Sequence, residues 1–147
     1  MFQRWVKWEP TEGLVNKYYI DYIYECSQKL KIVLSEEDQK EKIDVKKLIV
    51  EFDAVFSYKL TDETFRLGTI SLLDGLYGGD FYSKWTFFKV TNSPYLKLLS
   101  EESYGISDSY GVKHFAFIDA NSILDVIASG DPTFTMTTVK IGDEDEE

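Results

Sequence analysis

Residues 48 to 60 read LIVEFDAVFSYKL, and the fold turns on how this stretch is read. Leu48, Val50, Phe52, Ala54, Phe56, Tyr58 and Leu60 fall on alternate residues, with Glu51, Asp53, Ser57 and Lys59 between them. Side chains in a strand alternate between faces, so the pattern predicts one long strand, apolar on one face and wet on the other. Thirteen residues at about 3.3 Å each span roughly 43 Å, longer than a usual strand, which predicts a bulge or bend partway along.

Other segments must cover the apolar face. Upstream, KLKIVLS (29 to 35) alternates as a short strand, and Ser27-Gln28 can connect it to the segment before it. That segment, LVNKYYIDYIYE (14 to 25), fits helical spacing and alternation alike, but its Tyr and Ile content favours a strand. The first eight residues alternate weakly, as an edge strand or packed arm does. The charged run SEEDQKEKIDVKK (35 to 47) reads as a solvated connection between two antiparallel strands.

Downstream, apolar spacing predicts a short helix over 69 to 77, ended by Gly78-Gly79. FYSKWTFFKV (81 to 90) reads as a buried aromatic strand. Ser93-Pro94 marks a helix start: the hydroxyl can cap free backbone N–H groups, and proline lacks the N–H that the first turn cannot use. Gly105 can end this helix. SYGISDSYG (103 to 111) is a loop; VKHFAFID and ILDVIAS follow as two strands joined by a tight turn at 120 to 122, and Thr133 to Val139 adds an edge strand. The fold class is therefore α+β, a mostly antiparallel β-sheet with two short helices packed on it.

At 147 residues and 17.0 kDa the chain suits a single α+β domain over 1–140 that needs no disulfide or metal, followed by an acidic, disordered tail over 141–147. Ten Phe, ten Tyr and three Trp supply ample core material. Cys26 is the one cysteine, which excludes an intramolecular disulfide and a cysteine metal cluster. With neither a signal-like apolar run at the start nor a stretch of membrane-spanning length, the chain reads as cytoplasmic.

The net charge is −10, and half of the imbalance lies in Asp143, Glu144, Asp145, Glu146 and Glu147. Scattered lysines matched by carboxylates do not make a nucleic-acid surface, which needs clustered cations to release counterions. Acidity instead suits solubility or a basic protein partner.

Catalytic signatures are absent from the sequence. Gly75, Gly78 and Gly79 fit neither a Walker nor a dinucleotide pattern, and no cofactor or metal motif is present. His114 stands alone inside a strand, where a hydrogen-bonded packing role is the ordinary one. The acid pairs Asp62-Glu63, Glu101-Glu102 and Asp119 with Asp125 read as solvated side chains rather than a general acid and base. A partner-binding surface is easier to place. Tyr104, Asp108 and Tyr110 interleave aromatic and acidic groups in a glycine-punctuated loop just after Glu101 and Glu102, and tyrosine gives large contact area at small entropic cost. Tyr77, Asp80 and Tyr82, around Gly78-Gly79, form a second candidate.

Three segments, LIVEFDAVFSYKLTDETFRL (48 to 67), KWTFFKVTNSPYLKLLSEESYGISDSYG (84 to 111) and VKHFAFIDANSILDVIASGDP (112 to 132), together resemble the immunity proteins encoded beside LXG-type polymorphic toxins of Bacillus and related bacteria, of the YxxD kind. The resemblance spans about residues 30 to 135 and carries no catalytic signature. It implies a non-enzymatic cytoplasmic antitoxin that binds the C-terminal toxin domain of a cognate effector, commonly a nuclease, and blocks its active site. An acidic, tyrosine-bearing surface suits a basic substrate cleft. The alternative is a small-ligand or regulatory module with a pocket between sheet and helices at Trp85, Phe87 and His114. Oligomeric state is left open.

Removing Asp143 to Glu147 is expected to leave thermal stability unchanged. Partner association that is equally unchanged at low salt would exclude the tail from binding.

Overall fold

The computed structural model describes residues 3–37 and 44–140. The acidic tail and residues 38–43 of the charged connection lie outside them. Among the described residues, nine strands form two antiparallel sheets, ordered β1-β6-β7-β8-β5 and β2-β3-β4-β9. The strands are β1 (Arg4–Lys7), β2 (Tyr18–Cys26), β3 (Lys29–Glu36), β4 (Asp44–Phe52), β5 (Val55–Asp62), β6 (Phe87–Thr91), β7 (Lys113–Ile118), β8 (Ser122–Ala128) and β9 (Thr133–Lys140). Helices α1 (Leu67–Tyr77), α2 (Asp80–Ser83) and α3 (Pro94–Glu102) fall between β5 and β7, with 3-10 turns at Glu63–Arg66 and Ile106–Tyr110. The α+β class holds, with two sheets in place of one.

The expected long strand is two strands. The chain bends at Asp53-Ala54, and β4 belongs to the four-stranded sheet while β5 belongs to the five-stranded one. Leu48, Val50 and Phe52 fill the space between the sheets together with Leu30, Ile32, Phe87, Phe115, Phe117 and Leu124. After the corner Val55 takes the inward place, and a register shift between Val55 and Ser57 skips Phe56. Tyr58 and Leu60 then pair with Val126 and Leu124, on the same face as the core, yet stay exposed because the second sheet does not extend beneath this edge.

The other face of the five-stranded sheet is also covered. Trp5, Phe88, Val90, Ala116, Ile118 and Ile123 meet Leu73 of α1, with Tyr77, Phe81 and Tyr82 around them. Burial on both faces is why β7 and β8 read as near-continuous apolar runs rather than as alternation. The expected strand over 81 to 90 begins only at Phe87. Asp80–Ser83 is instead a helical turn, because Phe81 stacks on Tyr77 at 4.2 Å and packs against Phe88 at 5.1 Å, where a strand could not bring it. The connection expected over 35 to 47 is also shorter, since β3 runs to Glu36 and β4 starts at Asp44.

Polar ties join the two sheets near the start of β2. Thr86 Oγ1 accepts from the Tyr18 amide at 3.0 Å, and Asp119 Oδ2 from the Ile20 amide at 3.0 Å. Lys17 donates to the carbonyls of Tyr82, Ile118 and Trp85 at 2.6, 2.7 and 2.8 Å. Burial pulls this ammonium down to about 8, against the attraction of Asp119 and Glu37.

The β2–β3 hairpin turns on Ser27 and Gln28, at φ of 49° and 67°. Two successive positive φ values suit a two-residue hairpin turn whose twist matches the strands, but neither residue favours that region. Gln28→Gly keeps the carbonyl that accepts from the Val55 amide at 2.8 Å. It is expected to raise unfolding free energy by about 1 kcal/mol in urea titration.

Candidate functional site: an acidic-rimmed apolar groove

Helix α3 starts as its sequence predicts. Ser93 Oγ accepts from the Leu96 amide at 3.2 Å, and Pro94 occupies the first helical position. The helix ends at Glu102, where Tyr104 and Gly105 turn the chain with φ of 54° and 83°. The Gly105 amide donates to the Ser100 carbonyl at 2.7 Å, satisfying one of the free carbonyls of the last turn. The 3-10 turn Ile106–Tyr110 follows and is closed by Gly111 at φ 63°. Ser103 Oγ accepts from the Ser107 amide at 3.0 Å, and Ser100 Oγ donates to Asp108 at 3.1 Å. A loop tied at both ends in this way presents a fixed surface.

Between this loop, α3 and the edge of the five-stranded sheet lies a groove of about 290 Å³, walled by Phe56, Leu99, Ile106, Tyr110, Val112 and Ile127, with Glu102 on its rim. Ile106 is 60% exposed despite its apolar side chain. Glu101 and Glu102 are exposed, and neither has a cation at ion-pair distance among the described residues.

The structure brings together part of the first predicted cluster. Glu102 and Tyr110 line the groove, and Phe56 lies against the Tyr110 ring at 5.5 Å. Glu101 stands beside it on the last turn of α3. Tyr104 is 96% exposed and does not line the groove. Asp108 turns toward Ser100 and lines a neighbouring depression with Ser93, Leu96 and Lys97. The second cluster packs differently. The Tyr77 hydroxyl accepts from the Trp5 amide at 3.0 Å, and Tyr82 is half-buried, its hydroxyl pushed up by burial and by its hydrogen bond to Asp74. Of the three only Asp80 is exposed, and it pairs with Lys84 at 3.5 Å. The local sequence pattern missed Phe56, Leu99, Ile106, Val112 and Ile127. Ile106, an apolar residue amid polar loop neighbours, was the available signal.

Beneath α3 runs a buried relay. Ser93 Oγ lies 2.6 Å from His114 Nδ1, His114 Nε2 lies 2.6 Å from Asp125 Oδ1, and Arg66 Nη1 donates to Asp125 Oδ2 at 2.6 Å. With Nε2–H donating to Asp125, Nδ1 is left to accept the Ser93 hydroxyl proton. Trp5 and Tyr95 set ring edges or faces against the imidazole at 6.2 and 5.7 Å. Burial opposes charge on Asp125, but the hydrogen bond from His114 and the charge and hydrogen bond of the Arg66 guanidinium outweigh it and hold the carboxyl below its ordinary value. Hydroxyl, imidazole and carboxylate stand in the order of a nucleophile triad. Here, however, the hydroxyl is engaged as a helix cap, and Arg66 neutralises the carboxylate that would steady an imidazolium. The chemistry of the arrangement is that of a brace.

Asp119 does not join the relay. Its Oδ1 accepts from the Asn121 and Ser122 amides in the β7–β8 turn. Nor do Trp85, Phe87 and His114 share one pocket: Phe87 lies between the sheets, and His114 is on the helix-covered face. Among the described residues, no group of three or more His, Cys, Asp or Glu could hold a metal ion, and no helix is long and apolar enough to cross a membrane. No protein-family model, curated protein or solved structure matches the chain.

The folded pKa of Asp125 lies below its unfolded value, so its contribution is present above about pH 4 and is lost as pH falls through the folded value. Asp125→Asn is expected to cost about 3 kcal/mol near neutral pH, because it leaves the half-buried Arg66 without its counter-charge and His114 without its carboxylate partner. The gap to the wild type should narrow in urea titrations as pH falls below about 4. Ser93→Ala is expected to cost about 1 kcal/mol at either pH.

Proposed function

We propose that this protein is a cytoplasmic immunity protein that binds the toxic C-terminal domain of a cognate polymorphic toxin, a nuclease in the first instance, and neutralises it without chemistry of its own. One observation supports the reading above the rest: an apolar groove with Glu102 on its rim and Glu101 beside it, neither acid having a cation at ion-pair distance among the described residues. Apolar area of this kind supplies affinity by leaving water, while charges at the rim steer a basic partner and set its orientation. The resemblance to immunity proteins of LXG-type systems gives the partner class. A nuclease cleft is cationic because it holds phosphates, so Glu101 and Glu102 would occupy phosphate positions and Tyr104 and Tyr110 would meet base-binding surface.

The test starts with tagged protein purified from its native host while the neighbouring effector is expressed, with any bound chain identified by mass spectrometry. Near-equal recovery of an effector C-terminal domain is expected; recovery of the tagged protein alone overturns the reading. With that domain in hand, Ile106→Asp and Glu102→Lys should each weaken association by about tenfold or more in calorimetry. Both are surface changes and should leave thermal unfolding intact.

A further inference from the structure

Among the described residues, four strands stand at the sheet edges, and β5 is unlike the other three. β1 is four residues long, β2 is interrupted by a register shift at Asp21, and β9 follows directly on Pro132 and ends on the exposed Lys140. Edges are ordinarily guarded by charge, proline, bulges or shortness, since their open backbone N–H and C=O groups invite another chain. Strand β5 has a register shift only at its start, which leaves Ser57 to Asp62 regular. Its one lysine gives no guard, because Lys59 lies over the Tyr95 ring at 4.6 Å, drawn onto α3. The Tyr95 hydroxyl also bonds Ser57, so that face of β5 is tied down.

What β5 does present is apolar. Phe56, Tyr58 and Leu60 are exposed along the strand, and Phe65 and Leu67 follow at 81% and 63% exposure. Phe56 lines the groove described above and also a second hollow that it shares with Tyr58, so groove and edge form one surface. Acids stand at both ends of the strand: Asp53 at its start, and Asp62 and Glu63 at its finish, all exposed. None of the three has a cation at ion-pair distance among the described residues.

We propose that β5 is a strand-addition site, which takes an extended segment of a partner protein as a sixth strand of the five-stranded sheet. The segment carries apolar side chains at alternate positions and a lysine or arginine at each end. Backbone hydrogen bonds to the open edge set its register, and its apolar side chains lie beside Phe56, Tyr58 and Leu60. Its terminal cations meet Asp53 at one end and Asp62 with Glu63 at the other. Like charges at both ends act against a second copy of this chain, since an antiparallel β5 pair would bring Asp53 of one copy toward Asp62 and Glu63 of the other. The proposal goes beyond the immunity reading, as it holds for any partner with such a segment.

The probe is the peptide KTVTITVK, added to the full ¹⁵N-labelled chain. Amides on the open side of Ser57 to Asp62 should gain about tenfold or more protection from hydrogen exchange, one face of the backbone at a time. A peptide N-methylated on the amides of one edge should bind about tenfold more weakly per hydrogen bond lost, and ETVTITVE should lose most of its affinity. Leu60→Lys should weaken binding of KTVTITVK without changing the melting temperature. Absence of protection on β5 overturns the proposal, as does equal binding of either N-methylated or acid-ended peptide. Sedimentation supplies the remaining arm: a dimer of the free chain that Leu60→Lys dissolves would mean that a second copy occupies the edge, and would also overturn it. Failure to capture an effector from the host bears on the immunity reading and leaves these outcomes untouched.

Discussion

A carboxylate with no access to water sits in the middle of β8, and the helical layer is arranged around its charge. Burying Asp125 unpaired would cost several kcal/mol, so the fold must bring cations or donors to it. Arg66 comes from the turn that follows β5, and His114 from the neighbouring strand β7. Through His114 the constraint reaches Ser93, the residue that starts α3. One charge thus fixes where the chain leaves β5, how β7 registers on β8, and where α3 begins. The groove inherits its shape from that chain of contacts, since α3 supplies one wall and β8 supplies Ile127.

Elements whose cause is local could be read directly from the sequence. Ser93-Pro94 starts a helix because a hydroxyl and a missing N–H act within one turn, and Ser27-Gln28 turns a hairpin because two strong strands flank it. The β7 and β8 pair follows from its spacing and its apolar runs. Elements decided by tertiary contact were not legible. Alternation continues unbroken through Asp53-Ala54, so nothing local says that Phe52 faces one sheet and Tyr58 lies on the edge of another. Phe81 and Trp85 look like strand residues, but their rings are needed beneath the sheet, and the backbone coils to deliver them.

For the candidate site the division is similar. Glu102 and Tyr110 were accessible as chemistry in a loop, since acid and aromatic residues near glycines announce a surface. Tyr77 has the same local appearance, yet its hydroxyl meets the Trp5 amide, 72 residues away in the chain. Phe56, Val112 and Ile127 come from three separate segments and meet only when β5, β7 and β8 lie side by side. Shape made by distant residues leaves no mark on any one of them.

The order of strands has a kinetic side. β2, β3 and β4 follow one another as a meander, so the second sheet can grow by closing short loops. β1 pairs with β6, and β9 with β4, across most of the chain's length. Loop-closure entropy makes such pairings late events in folding. β1 and β9 are therefore the last pieces to be fastened, and until β9 arrives, the open flank of β4 is a second unguarded edge. A chain emerging from synthesis holds that edge open until Thr133–Lys140 is made, a stage at which a waiting partner strand and the chain's own β9 compete for the same place.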